Sequence, residues 1–134
     1  MNEKWKKESD DYSFYHLNYK CAAHRQRTLK HWLGFVVVPL GHLWFGVDKA
    51  ELLLPIHGGI AIADYCPFSP DPKQDEWWIG FECNQPFDIV PKEWEDEKDI
   101  SPDFFKNHVY RDLEFVIEEL KKLAKFAKQA ESRV

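Results

Sequence analysis

The last third of the chain repeats an apolar residue at every third or fourth position: Phe105, Val109, Leu113, Val116, Ile117, Leu120, Leu123, Ala124 and Ala127. That period lines the set along one side of an α-helix, and such a stripe is stable only under a second layer of structure. Ser101 is placed as its N-cap, with Pro102 at the first helical position and Asp103 in the first turn. Lys121, Lys122, Lys125 and Lys128 gather toward the other end, and Glu118 stands four residues before Lys122. Upstream the period changes to two. Trp77, Ile79, Phe81 and Cys83 alternate with Trp78, Gly80 and Glu82, which predicts a strand with the first set inward. Residues 20–26 and 31–38, joined by the short Arg27-Thr28-Leu29-Lys30 link, read as a hairpin. Its second strand is apolar on both faces and is therefore central. The aromatic run from Tyr12 to Tyr19 is an edge strand or a pad on the sheet, and residues 51–56 and 60–64 flank a His57-Gly58-Gly59 turn. Strands followed by one long terminal helix define an α+β fold: an antiparallel sheet of about five strands with the C-terminal helix packed on one face. Residues 1–11, charged around a lone Trp5, are expected to be a flexible N-terminal segment outside the core, and residues 12–130 a single domain.

Composition removes several functional classes. With 44% hydrophobic and 31% charged residues the chain is globular, and its net charge of −5 argues against binding extended nucleic acid through many phosphates. The longest apolar stretch, Phe35 to Leu40, is too short to cross a membrane, and the charged start lacks a secretory core. A cytoplasmic protein is expected. Cys21, Cys66 and Cys83 are odd in number and far apart, which fits reduced thiols rather than disulfides or a zinc knuckle.

Alternation also suggests where a site lies. If Ile60 and Ile62 face the core, then Gly59, Ala61 and Ala63 share the other face with His57 at its mouth, and the neighbouring strand adds Trp78, Gly80 and Glu82. A floor of small residues walled by Trp, His and Glu suits a flat ligand such as a nucleobase. The competing reading is that the glycines only relieve sheet strain and that a second layer covers this face. His42 and His57 each adjoin glycine at a strand end, positions suited to general acid or base work with Glu82 or Asp88 as the orienting carboxylate. Two histidines and a carboxylate are also a metal-binding set, but no complete catalytic, phosphate-loop or dinucleotide motif occurs, so no metal ligand and no cofactor is assigned. Lys20, His24, Arg25, Arg27, Lys30 and His31 cluster on the first hairpin, where they meet an anion or merely solvate an edge strand. The aromatic loop from Leu40 to Gly46 either folds back on the core or is an interface.

The segments VVVPLGHLWFG, LLLPIHGGIAIAD, WWIGFECNQPFDIVP and YRDLEFVIEEL resemble an uncharacterised family of small phage and prophage proteins over roughly Lys20 to Leu123. The resemblance implies that Gly41, His42, His57, Gly58, Gly59, Trp77, Trp78, Gly80, Phe81, Cys83, Asp88, Tyr110, Arg111 and Glu114 are family positions. Glu82 stands where the family has Asp, and Leu43 where it has proline. Gln85 replaces a histidine, which removes that residue from any metal site. Three functional expectations follow. The first is a phage-type binding protein for a small anionic or nucleotide ligand, such as a signalling nucleotide of a bacterial defence system in the host cell. Its ligand-binding residues would be His42, His57, Gly58, Gly59, Trp78, Gly80, Glu82, Asp88 and Arg111. The second is a small hydrolase-like enzyme in which His57, with Glu82 or Asp88, acts as base or metal ligand and His42 or Arg111 stabilises negative charge. The third is a protein-interaction inhibitor of a host defence protein, anchored by Trp44, Phe45 and Trp94. An edge near Lys20 to Gln26 would be the pairing surface of a homodimer.

Overall fold

Val36 and Val37 are adjacent in sequence yet belong to two different buried clusters, one on each face of a sheet. A computed structural model describes residues 4–94 and 107–132. Its strands are β1 (Asp11–His16), β2 (Tyr19–Arg25), β3 (Trp32–Pro39), β4 (Ile62–Asp64) and β5 (Glu76–Glu82), in the spatial order β1-β2-β3-β5-β4 with every pairing antiparallel. The helices are a single turn, α1 (Pro91–Trp94), and the long α2 (Leu113–Glu131). The chain is thus α+β, with a five-stranded antiparallel sheet and one long C-terminal helix.

The central strand β3 is buried from Trp32 to Val38. Trp32, Val36 and Val38 share one cluster with Cys21 and Ala23 of β2, Ile79 and Phe81 of β5, and Val116, Leu120, Leu123, Ala124 and Ala127 of α2. Burial of each such leucine stabilises the fold by about 2 kcal/mol. Gly34 is needed there: a Cβ would lie 2.7 Å from the Phe81 ring and 3.1 Å from Leu120. On the other face Leu33, Phe35 and Val37 pack with Ala22 and Trp78.

Several expectations are corrected. Val109 lies outside the helix, because its N–H is donated to the Phe87 carbonyl and its own carbonyl accepts from Ile89 N–H, forming a short parallel bridge to Asp88. With those groups taken, α2 starts only at Leu113. Asp112 is its cap, accepting the Phe115 N–H at 2.8 Å. The Ser101 cap and the helical turn expected after it lie outside the described residues, as does Phe105. Residues 51–56 are not a strand; a short 3-10 turn at Lys49–Glu51 and irregular backbone replace it. Strand β2 is interior, paired on both sides, so the edges of the sheet are β1 and β4 and not Lys20 to Gln26. Trp5, left out of the expected core, is 8% exposed, and Glu8 accepts from Trp32, Tyr110, Arg25 and the Leu113 N–H. The Leu40–Gly46 loop folds back: Trp44 is buried in the main cluster, which removes it as a free interface anchor. Among the described residues no helix is long and apolar enough to cross a membrane.

Candidate functional site

The bridge between Asp88 and Val109 places Arg111, two residues further on, beside the Asp88 carboxylate. From the opposite side comes the His57-Gly58-Gly59 turn, closed by a hydrogen bond from the Gly59 N–H to the Ile56 carbonyl. Gly58 has φ +70°, and a Cβ on it would lie 2.4 Å from the Gln85 side chain, so only glycine lets the turn approach this closely. The result is a three-residue cluster around one buried carboxylate. His57 Nε2 lies 2.6 Å from Asp88 Oδ2, Arg111 Nε donates to Asp88 Oδ1 at 2.9 Å, and the Gln85 N–H donates to Oδ2 at 3.0 Å.

Phe115 and Glu119, one turn apart on α2, complete the surroundings. The His57 ring meets Phe115 edge-on at 5.1 Å, the Arg111 guanidinium lies over the same ring at 4.8 Å, and the His57 N–H donates to Glu119 at 3.2 Å. Sequence reasoning passed over both residues, although their i, i+4 spacing after Arg111 puts them on one row of the helix. Burial pushes the Asp88 carboxyl up, but hydrogen bonds from His57, Arg111 and the Gln85 N–H more than offset this and hold it below the ordinary carboxylate range. Asp88 is therefore an anion at neutral pH. As such it accepts from His57 Nε2–H, which leaves Nδ1 as the ring nitrogen not spent on the carboxylate. Among the described residues Nδ1 makes no hydrogen bond, and it is not among the buried unpaired atoms, so it reaches solvent. The Arg111 terminal nitrogens make none either, and that side chain is 28% exposed. Phe87, immediately before Asp88, holds φ +71° with its side chain 59% exposed, a backbone conformation that costs a bulky residue about 1 kcal/mol or more.

Other expected site residues lie elsewhere. Glu82 accepts from His31 Nε2 at 2.7 Å and from Asn84, so of the two carboxylates offered for His57 it is Asp88 that meets it. His42 bonds the Ala127 carbonyl through Nε2 at 2.9 Å and accepts the Trp44 N–H at Nδ1, using both ring nitrogens to pin its loop to α2. Ala127 is twelve residues beyond Phe115, ~18 Å along the helix, so His42 and His57 serve different ends of the molecule. The open small-residue floor is not present. Ile62, not an alanine, lies opposite Gly80, and Ala63 opposite Ile79 packs toward the helix side. A Cβ on Gly80 would meet the Phe35 ring at 2.5 Å. Trp78 is 4% exposed, packed edge-on against Phe35 and Phe68. Gly59, at φ +76° with open space around it, serves the turn.

Cys83 is buried near the cluster, and burial, followed by the Asp88 charge, drives its thiol far above the usual range, so it stays protonated. Among the described residues no group of three or more His, Cys, Asp or Glu side chains is placed to hold a metal ion. Comparison with protein-family models, with curated proteins and with solved structures finds no match.

Proposed function

We propose that this chain binds a small anionic ligand at His57, Asp88 and Arg111. The observation that carries the reading is that the Asp88 side chain is fully buried while His57 and Arg111 are not spent on it: each gives one nitrogen to the carboxylate and has at least one left over. Arg111 offers a charged fork of donors, and His57 Nδ1 offers a second polar contact beside it, an acceptor in the neutral ring and a donor in the charged one. That combination fits a phosphate or phosphomonoester that carries a hydroxyl or a proton. A nucleotide is taken as the bearer of that group, with capture of a host signalling nucleotide as the biological use a phage setting would give it.

Isothermal titration with inorganic phosphate and with mono-, cyclic and ADP-ribose-type nucleotides tests this. Binding is expected to weaken at least ~10-fold in Arg111→Ala, the loss of a charge-assisted hydrogen bond. Silence of the wild-type protein across all of these ligands would remove the reading. A second reading has its own support: a buried aspartate on Nε2 with Nδ1 open is the arrangement of a general base. Phosphorus NMR of the recovered ligand separates the two. Unaltered ligand means capture; conversion that disappears in His57→Ala means water activation by His57.

A further inference from the structure

The face of the sheet turned away from α2 carries an aromatic arrangement that the anion site does not use. Phe68, in the segment between β4 and β5, stacks on the His24 ring at 4.1 Å with 27° between planes. It meets Phe35 edge-on at 5.4 Å and Trp78 at 6.1 Å. Yet the residue is 47% exposed. Two open clefts, of about 800 and 410 Å³, both have His24 and Phe68 in their walls, so the Phe68 ring is a partition between them.

Three observations indicate that the partition stands in for something else. Among the described residues, 66–74 make only local hydrogen bonds, Asp71 N–H to Ser69 and the Gln74 amide to the Pro72 carbonyl, so withdrawing Phe68 breaks ring contacts and no ladder. The Trp78 indole N–H is buried without an acceptor, which is costly unless an acceptor arrives. Arg27 and Lys30 line the larger cleft with no ion pair among the described residues, whereas Arg25 on the same wall is taken by Glu8 and Asp10. Asp10, beside Arg25, and Asp11 also line this cleft, so Arg27 and Lys30 are its two cations outside an ion pair and the place for a negative group. Burial also lowers the pKa of His24, so at neutral pH its ring is an uncharged flat surface.

We propose that this face is a second ligand site, in which a planar aromatic anion of mononucleotide size displaces Phe68, stacks on His24, supplies an acceptor to the Trp78 N–H and places its charge at Arg27 and Lys30. Phe68 fills the slot when no ligand is bound, a built-in competitor for the ring.

Adenosine monophosphate is the probe. Titration followed by proton–nitrogen NMR is expected to move the Trp78 indole signal, assigned by its loss in Trp78→Phe. Removing the competing ring in Phe68→Ala is expected to tighten binding about 10-fold, the scale of one stacking contact. Arg27→Ala with Lys30→Ala, two side chains without an ion pair among the described residues, is expected to weaken it by a similar factor in a folded variant, and adenosine, lacking the phosphate, to bind correspondingly less. An unmoved Trp78 signal in both wild type and Phe68→Ala would overturn the proposal. So would weaker binding in a folded Phe68→Ala, or binding abolished by Arg111→Ala and indifferent to Arg27 and Lys30, which would place the nucleotide at the anion site alone.

Discussion

Two carboxylates organise this molecule, and they are used in opposite ways. Glu8 and Asp88 each tie together segments far apart in sequence, each sits beside an arginine, and each is largely or fully buried. Around Glu8 the donors are turned into the protein. Its oxygens accept from the Tyr110 hydroxyl, the Trp32 indole, the Leu113 N–H at 2.7 Å and Arg25, whose guanidinium also donates to the Lys30 carbonyl and lies over the Trp32 ring at 4.3 Å. Around Asp88 the partners retain unused nitrogens on the solvent side. A closed network specifies a fold, while one with open valences has something left with which to recognise a ligand. Charge and burial alone do not separate the two; the count of unspent donors and acceptors does.

The largest effect is expected at the closed network. Glu8→Ala leaves the Leu113 N–H without its acceptor and the buried Arg25 with the exposed Asp10 as its one remaining carboxylate, and should cost about 3 kcal/mol of unfolding free energy by urea titration. A loss below about 1 kcal/mol would show that the N-terminal segment is incidental and would dissolve the contrast. Asp88→Asn should cost somewhat less and should also change the acid limb of stability. Because the folded-state pKa of Asp88 lies below its ordinary value, its contribution is complete above the unfolded pKa near ~3.9 and fades as pH falls through the folded value. The variant should therefore lose less stability than wild type on acidification below about pH 4. Parallel acid curves for the two proteins would contradict the assignment. Arg111→Lys sharpens the comparison from the other side: it should leave stability within about 1 kcal/mol, yet weaken anion binding, because a lysine cannot hold Asp88 and present a fork at once.

Much of the fold could be read from residue periodicity, since the sheet and the terminal helix are set by burial patterns that repeat locally. Alternation separates Ile79 and Phe81 from Trp78 on the opposite face, which is buried as well, and the steps of three and four in Val116, Leu120, Leu123 and Ala127 mark the buried stripe of α2. What local pattern does not carry is competition from afar. Val109 fits the helical stripe, but its backbone groups are claimed by Phe87 and Ile89. Trp5 and Glu8 look like tail residues until Tyr110 and Leu113 meet them. The phase of β4 departs from the alternation for a similar reason: the Ala61 N–H donates to the Gly80 carbonyl and Ile62 pairs opposite Gly80, a register set by the partner strand. The site was legible in part. His57, Asp88 and Arg111 were each singled out, but their meeting depends on the Asp88–Val109 bridge, which leaves no sequence signature, while Glu82 was drawn away by His31.

The two glycine-flanked histidines supply the smallest and most discriminating test. His42 has both ring nitrogens engaged, Nε2 to the Ala127 carbonyl and Nδ1 to the Trp44 N–H, and its ring packs edge-on against Tyr19 and Trp44. His57 has one nitrogen engaged and one open. Both rings are half-buried and hydrogen-bonded, so replacement of either by alanine should cost about 1 to 2 kcal/mol in stability. Only the binding data should differ. His42→Ala should leave the affinity for the anion unchanged, since its contacts are spent inside the protein, while His57→Ala should weaken it by about 5-fold, the worth of one hydrogen bond. If both variants reduced binding in proportion to their loss of stability, the effect would run through the fold as a whole, and the open nitrogen of His57 would carry no special meaning.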